Sequence, residues 1–183
     1  MPHDGAAMQR SEAEHVLRAA AAIAQEQSFV VVGSQALLFL LPHAPDALLV
    51  SRELDLYPAL HPEKSDLIDG AIGALSSFDT TFGYHADGVG PETAVMPDDW
   101  MQRASLHYVG ELTVICPELH DLALSKCVAA REKDALFVRE LIQRSLVAVA
   151  TLRERAAMLD GAKYPHLAAW IDRRALEAKA PSP

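Results

Sequence analysis

The run Phe29-Val-Val-Val-Gly-Ser-Gln-Ala-Leu-Leu38, followed after a proline-broken loop by Ser51-Arg-Glu-Leu-Asp-Leu-Tyr-Pro58, decides how this chain folds. An apolar stretch dominated by valine predicts a buried strand over Phe29–Val32. Gly33-Ser34 predicts a tight turn, and Gln35–Leu41 a short helix that Pro42 ends. Ser51–Tyr57 predicts a second strand. Its period of two places Leu54 and Leu56 on one side and Glu53, Asp55 and Tyr57 on the other.

Outward from this centre, Ser11–Gln27 reads as an alanine-rich helix, with Ser11 and Glu14 spaced as a capping box. Pro62–Ser76 reads as a helix weakened by Gly70 and Gly73. Phe78–Val89 alternates loosely and predicts a strand bent at Gly83 or Gly88. Pro97–Arg103 predicts a helical turn or two, and Ser105–Val109 with Glu111–Cys116 a hairpin about Gly110. From Pro117 onward the pattern changes to helices over Glu118–Ala130, Glu132–Ile142, Leu146–Leu159 and His166–Ala178. The expected class is therefore α/β (α+β): a mixed-sheet core over residues 1–116 and a helical C-terminal part over 117–183.

The chain has 183 residues and a formal net charge of −9. Such acidity argues against a broad nucleic-acid footprint, although a local basic groove remains compatible with it. The longest apolar runs, Phe29–Val32 and Ala36–Leu41, are too short to span a bilayer, and the first residues lack a secretory pattern. Cys116 and Cys127 have neither metal-site nor disulfide-framework spacing. These features lead us to expect a reduced, cytoplasmic protein with no membrane partner.

Three patterns carry chemistry. Glu53 and Asp55, one pleat apart, can share one or two divalent cations, which hold a polyphosphate for in-line displacement. The same pair also reads as the polar face of an edge strand. Gly33-Ser34 lets the backbone approach a phosphate, with a hydroxyl and N–H groups to bind it; it reads equally as a plain strand-to-helix turn. On a continuous helix at roughly 100° per residue, Lys126 and Lys133 would lie within about 20° of each other and Asp134 about 80° further round. Lys126 would then reach a cleft, although local ion pairing on a solvated face explains the same charges.

Gly33-Ser34, Ser51-Arg-Glu-Leu-Asp55 and Ser125-Lys-x-x-Ala-x-Arg-x-Lys-Asp134, in this order, resemble the minimal nucleotidyltransferase families. The resemblance is closest to the group holding the toxins of type IV toxin–antitoxin (abortive-infection) systems and related uncharacterised bacterial proteins. Thr93-Ala-Val-Met-Pro-Asp-Asp-Trp-Met-Gln-Arg103 is similar to a linking segment of one such family. The likeness covers roughly Phe29–Ile142. It implies a nucleotidyltransferase-like sheet and transfer of a nucleoside monophosphate from a nucleoside triphosphate to an RNA or protein hydroxyl, with Mg²⁺ or Mn²⁺.

By the same resemblance, Gly33 and Ser34 would bind nucleotide phosphate, and Glu53 and Asp55 would be the metal ligands. Lys126 would contact the triphosphate, and Asp134 would support the site or help activate the acceptor. Arg131 and Lys133 would bind phosphate or pair with neighbouring acids. An antitoxin partner is a further implication. The family's first acidic position is usually aspartate, and here it is Glu53; the spacing from Gly33-Ser34 to the acids is also longer than the commonest form. These departures raise a second expectation, a degenerate nucleotidyltransferase fold retained as a binding or partner module. A third carboxylate is left open among Asp79, Asp87 and Glu111. The eight histidines show no zinc motif, His120 is expected to pair locally with Asp121, and Trp100 and Trp170 read as packing anchors rather than base-stacking platforms.

Overall fold

The structure is a computed structural model that describes residues 7–179. Its centre is β1 (Ser28–Val32), whose Phe29, Val30, Val31 and Val32 are all buried. A strand covered on both faces needs an unbroken apolar run, and this one has it. β2 (Glu53–Pro58) lies antiparallel on one side of it, with Val32 opposite Asp55 and Val30 opposite Tyr57. Beyond β2, β3 (His85–Gly88) runs parallel to it, pairing Glu53 with His85 and Asp55 with Asp87. On the other side of β1, β5 (Leu112–Cys116) is parallel to it, and β4 (Ser105–Val109) is antiparallel to β5. The result is a five-stranded mixed sheet in the order β3-β2-β1-β5-β4. The hairpin turn places Gly110 at φ +61°, a left-handed conformation that glycine adopts without strain.

Helix α1 (Arg10–Ala24) buries Ala13, Val16, Leu17 and Ala20 along one stripe. Its cap is Gln9 rather than the expected Ser11. Glu12, not Glu14, accepts the N–H of Gln9, at 2.7 Å, and so closes the first turn. Glu12 also takes a two-pronged ion pair from Arg52, whose Nε donates to the carbonyl of Gly83. The residue before β2 thereby ties together α1 and the turn that leads to β3. Gln35 to Leu41 is a 3₁₀ turn (Ser34–Ala36) running into the single-turn helix α2 (Leu37–Leu40). Helix α3 (Ser65–Ile72) ends at Gly73, one of the two glycines that weaken this run in the sequence.

The bent strand expected over Phe78–Val89 is a correction. Residues Ser77–Phe82 form a short helix, α4, and only His85–Gly88 is strand. Ser76 Oγ accepts the N–H of Asp79, and Gly83 closes the helix at φ +74°. This serine and glycine are start and stop signals that outweigh a loose alternation of Phe78, Thr80 and Phe82. Phe78 and Phe82 instead surround His15 with Tyr84.

The remaining helices are α5 (Leu119–Ala129), α6 (Glu132–Gln143), α7 (Val149–Ala156) and α8 (Leu167–Lys179). The chain divides into two compact units. One comprises residues up to Thr93 together with Ala104–Cys116, and holds the sheet; the other comprises Ala94–Arg103 and residues from Pro117 on. Within the helical unit, Leu122, Leu124, Val138, Leu141, Leu152 and Ile171 form the core. An ion cluster around the buried Asp121 carboxylate holds the 94–103 segment to it. Arg103 makes a bidentate pair with Asp121 of α5 and a second pair with Asp99, and Arg155 of α7 reaches the same Asp121 at 3.3 Å. His120 therefore does not pair with Asp121. Its Nε2 accepts the N–H of Ala148, so Nδ1 carries the proton and donates to Glu118. Among the described residues, no helix is long and apolar enough to cross a membrane.

Candidate active site

The sheet unit brings Gly33 and Asp55 together and carries Ser34 and Glu53 on the adjoining turn and strand. β1 ends at Gly33, which is buried and has φ +72° and ψ −177°. Because Val32 pairs with Asp55, the chain leaves β1 beside that carboxylate. A Cβ on Gly33 would collide with Oδ2 of Asp55 and stand 2.8 Å from its Cγ. Glycine is thus required twice, once by the dihedral and once by the acid that fills the space of a side chain. Ser34, half-buried, opens the following turn. That turn is too short to supply a strong helix dipole, so anion binding there would rest on the hydroxyl and backbone N–H groups.

β2 alternates as its sequence requires. Leu54 and Leu56 are fully buried, while Glu53 and Asp55 are half-buried on the opposite face. The register with β3 separates the three further acids by position. Asp87 sits opposite Asp55 across a parallel pair, so its side chain shares that face. Asp79 is occupied elsewhere: it accepts the N–H of Leu75 at 2.9 Å and contacts Nδ1 of His85 at 3.0 Å. The Leu75 hydrogen bond, the largest influence, holds its carboxyl below the usual range, with His85 adding to the effect against partial burial. Glu111 is exposed in the β4–β5 turn. No local sequence signal separates these candidates, because the β2–β3 register depends on where α4 ends.

Gln35 is a site residue that the sequence patterns do not single out. It is 1% exposed, and its Nε2 donates to the carbonyl of Ser51 at 2.8 Å. Its Oε1 has no hydrogen-bond partner among the described residues. The bond to Ser51 ties the turn after β1 to the chain entering β2, so Gln35 positions the two parts of the site. A glutamine inside an apolar helix start, Ser-Gln-Ala-Leu-Leu, is the available clue.

The basic motif lies in the helical unit, and its geometry differs from the expected continuous helix. α5 stops at Ala129, and Ala130 adopts the left-handed conformation at φ +53°. Arg131 then caps α6 from an extended conformation. The 20° relation between Lys126 and Lys133 therefore does not hold. Lys126 is 9% exposed at the end of α5, with Nζ 3.7 Å from Asp134 and 5.7 Å from the centre of the Phe137 ring. Lys133 is exposed on the first turn of α6. Asp134 is buried and accepts both the backbone N–H and the guanidinium of Arg131, at 3.1 and 2.7 Å. It is the N3 acid of α6 and holds two cations in place.

Glu53 and Asp55 offer hard oxygen donors from one strand face. Mg²⁺ typically takes one or two carboxylates and completes its shell with water and substrate phosphate, so this donor set fits a divalent ion. Among the described residues, no three histidine, cysteine, aspartate or glutamate side chains are gathered tightly enough to hold a metal ion by themselves.

A glycine-serine turn set against strand carboxylates on a mixed sheet is an arrangement suited to a phosphate-bearing ligand and a divalent ion. Comparison with known families makes the assignment specific: the family model described as "Nucleotidyltransferase of unknown function (DUF6036)" matches residues 11–171. The chain belongs to this nucleotidyltransferase family. No curated protein and no solved structure gives a significant match.

Proposed function

We propose that the chain transfers a nucleoside monophosphate from a nucleoside triphosphate to an RNA or protein hydroxyl, using Mg²⁺ or Mn²⁺. The observation that carries this reading is the Asp55 carboxylate lying against the bare Cα of Gly33. It sets an acid beside the turn that we assign to phosphate, at the end of one strand. Gly33 leaves the backbone open to a phosphate, Ser34 supplies a hydroxyl, and Glu53 and Asp55 would hold the metal, with Asp87 beside them as the third acid. When bound, the ion supplies Lewis-acid stabilisation of charge at the α-phosphate. Gln35 keeps Ser34 and β2 in register through its bond to Ser51.

On the helical unit, Lys126, Arg131 and Lys133 would serve nucleotide phosphate. Asp134, already engaged with Arg131 and Lys126, orients these cations rather than moving a proton. Resemblance to type IV toxins supports a role as the toxin of a two-component system with an antitoxin partner.

The test is calorimetric titration with each nucleoside triphosphate plus Mg²⁺ or Mn²⁺, paired with transfer of α-labelled nucleotide into RNA and protein. Wild type should show metal-dependent binding and incorporate label, and Glu53→Ala/Asp55→Ala should lose the metal-dependent binding and the incorporation. Binding without incorporation would assign the chain to the alternative, a degenerate partner module. Absence of metal-dependent binding across all four nucleotides would overturn both readings.

A further inference from the structure

The helical unit contains a small cavity of about 190 Å³ that the proposed chemistry does not use. Its walls come from the end of α5, at Cys127 and Val128, and from the segment entering α8, at Lys163, Tyr164, His166 and Trp170. Pockets for drug-sized ligands run to roughly 300–1,000 Å³, so this one suits a single ring system rather than a whole nucleotide. Two of its walls are aromatic. Trp170 carries the guanidinium of Arg174 over one face at 4.8 Å, and Tyr164 carries the ammonium of Lys163 at 5.5 Å. A ring has two faces, and each cation covers one.

Two further features narrow the ligand. The pocket's α5 wall is the carbonyl end of that helix. Ala130 N–H donates to the carbonyl of Lys126, but the carbonyls of Cys127 and Val128 lie beyond the last helical donor. They favour a ligand that donates hydrogen bonds. The rim carries Lys163 and His166 and, among the described residues, no acidic side chain; in a chain of net charge −9 this favours a ligand bearing negative charge.

We infer that this pocket binds a nucleobase with an exocyclic amine, adenine or cytosine, carried by a phosphate-bearing nucleotide. Aromatic walls stack the ring, the carbonyl end of α5 accepts from the amine, and Lys163 meets the phosphate. The choice of a nucleobase among aromatic rings rests on the nucleotidyltransferase reading. The binding itself needs no divalent ion. The base can belong to the donor nucleotide or to a nucleic-acid strand, and the pocket chemistry is the same for both.

The full-length Trp100→Phe protein has Trp170 as its sole tryptophan, and its fluorescence reports the pocket directly. Titrations in EDTA should show saturable quenching by adenosine and cytidine monophosphates. Uridine monophosphate should bind at least several-fold more weakly, and ribose 5-phosphate should leave the signal unchanged. Lys163→Glu, a surface change, should weaken adenosine monophosphate several-fold, and Val128→Phe should fill the cavity and abolish quenching without lowering Tm. A short adenine-rich oligonucleotide that binds more tightly than adenosine triphosphate assigns the pocket to a strand; the reverse order assigns it to the donor. Quenching that is absent for every base, or equal for adenosine, uridine and ribose phosphate, overturns the inference. Glu53→Ala/Asp55→Ala should quench like wild type, so failure of the metal site and failure of the pocket are separate results.

Discussion

Asp55 occupies the space that a side chain on Gly33 would need, its Cγ 2.8 Å from where that Cβ would sit. The two residues meet because Val32 and Asp55 are paired across the antiparallel β1–β2 ladder. Gly33→Ala should therefore suffer twice. Positive φ with an extended ψ is essentially open to glycine alone and costs another residue about 1–3 kcal/mol, and displacing the Asp55 carboxylate adds to that. Gly110 is the control, since it has φ +61° but nothing within 4 Å of the place a Cβ would take. Gly110→Ala should show only the dihedral cost, a fall in Tm of about 2–8 °C at this chain length, and retain nucleotide binding. Gly33→Ala should fall further and lose it. Adding Asp55→Ala to Gly33→Ala should recover about 1 kcal/mol relative to the sum of the single changes, measured by urea unfolding. Strict additivity would show that the two groups do not compete for the same space.

The relationship also shows how far a sequence can be read here. β1, β2, the hairpin and the four C-terminal helices are legible because their apolar periods are long or bounded by Gly and Pro. The pair Glu53 and Asp55 is legible from alternation alone. Asp87 is not, because its place depends on the β2–β3 register, which no local pattern encodes. α4 departs from expectation because two local signals, the Ser76 cap and the Gly83 stop, compete with alternation over only six residues. The basic segment departs for a different reason. Alanine is a good helix former, and nothing in Ala129-Ala130 announces that the second adopts a left-handed conformation.

That break is testable by a substitution with opposite signs in the two geometries. Glycine inside a continuous helix costs about 1 kcal/mol relative to alanine. Glycine at a left-handed helix end removes a strain of about 1–2 kcal/mol. Ala130→Gly should therefore raise the urea midpoint, with no change in the slope of the transition. A lowered midpoint would restore the single helix from Leu124 to Asp134 and return Lys126 and Lys133 to one face.

Asp121 gives a pH dependence of unusual sign. Burial, the dominant influence, pushes its carboxyl up to about 6, against the opposing attraction of Arg103. A carboxyl whose folded pKa exceeds its unfolded value binds protons more tightly when folded. Its contribution to stability is present below the unfolded pKa and is lost as pH rises through about 6. An ordinary ion-paired aspartate behaves in the opposite way. Stability measured from pH 4 to 7 should therefore fall in wild type relative to Asp121→Asn, which has no such titration. At pH 7, Asp121→Ala leaves Arg103 and Arg155 without their shared anion and should cost about 3–5 kcal/mol. A wild-type curve rising relative to Asp121→Asn over this range would show that the guanidiniums outweigh burial.

The two thiols provide a measure of how tightly both units close. Cys116 ends β5 in the sheet unit and Cys127 lies on α5 in the helical unit, and both are buried. Burial pushes each thiol up to about 12, with Asp134 adding to the effect at Cys127. The thiolate is the reactive form, so at pH 8 neither cysteine should react with a disulfide reagent while the protein stays folded. Reaction should begin only as urea opens each unit, and the two modifications, separated by peptide mapping, report the units individually. Adenosine monophosphate should slow modification of Cys127 and leave Cys116 unchanged, because of the two only Cys127 lines the cavity. Rapid labelling of Cys127 in the native protein would mean that the helical unit opens locally on the timescale of the reagent. Labelling of Cys116 with the same rate and urea dependence would mean instead that the sheet and helical units unfold as one.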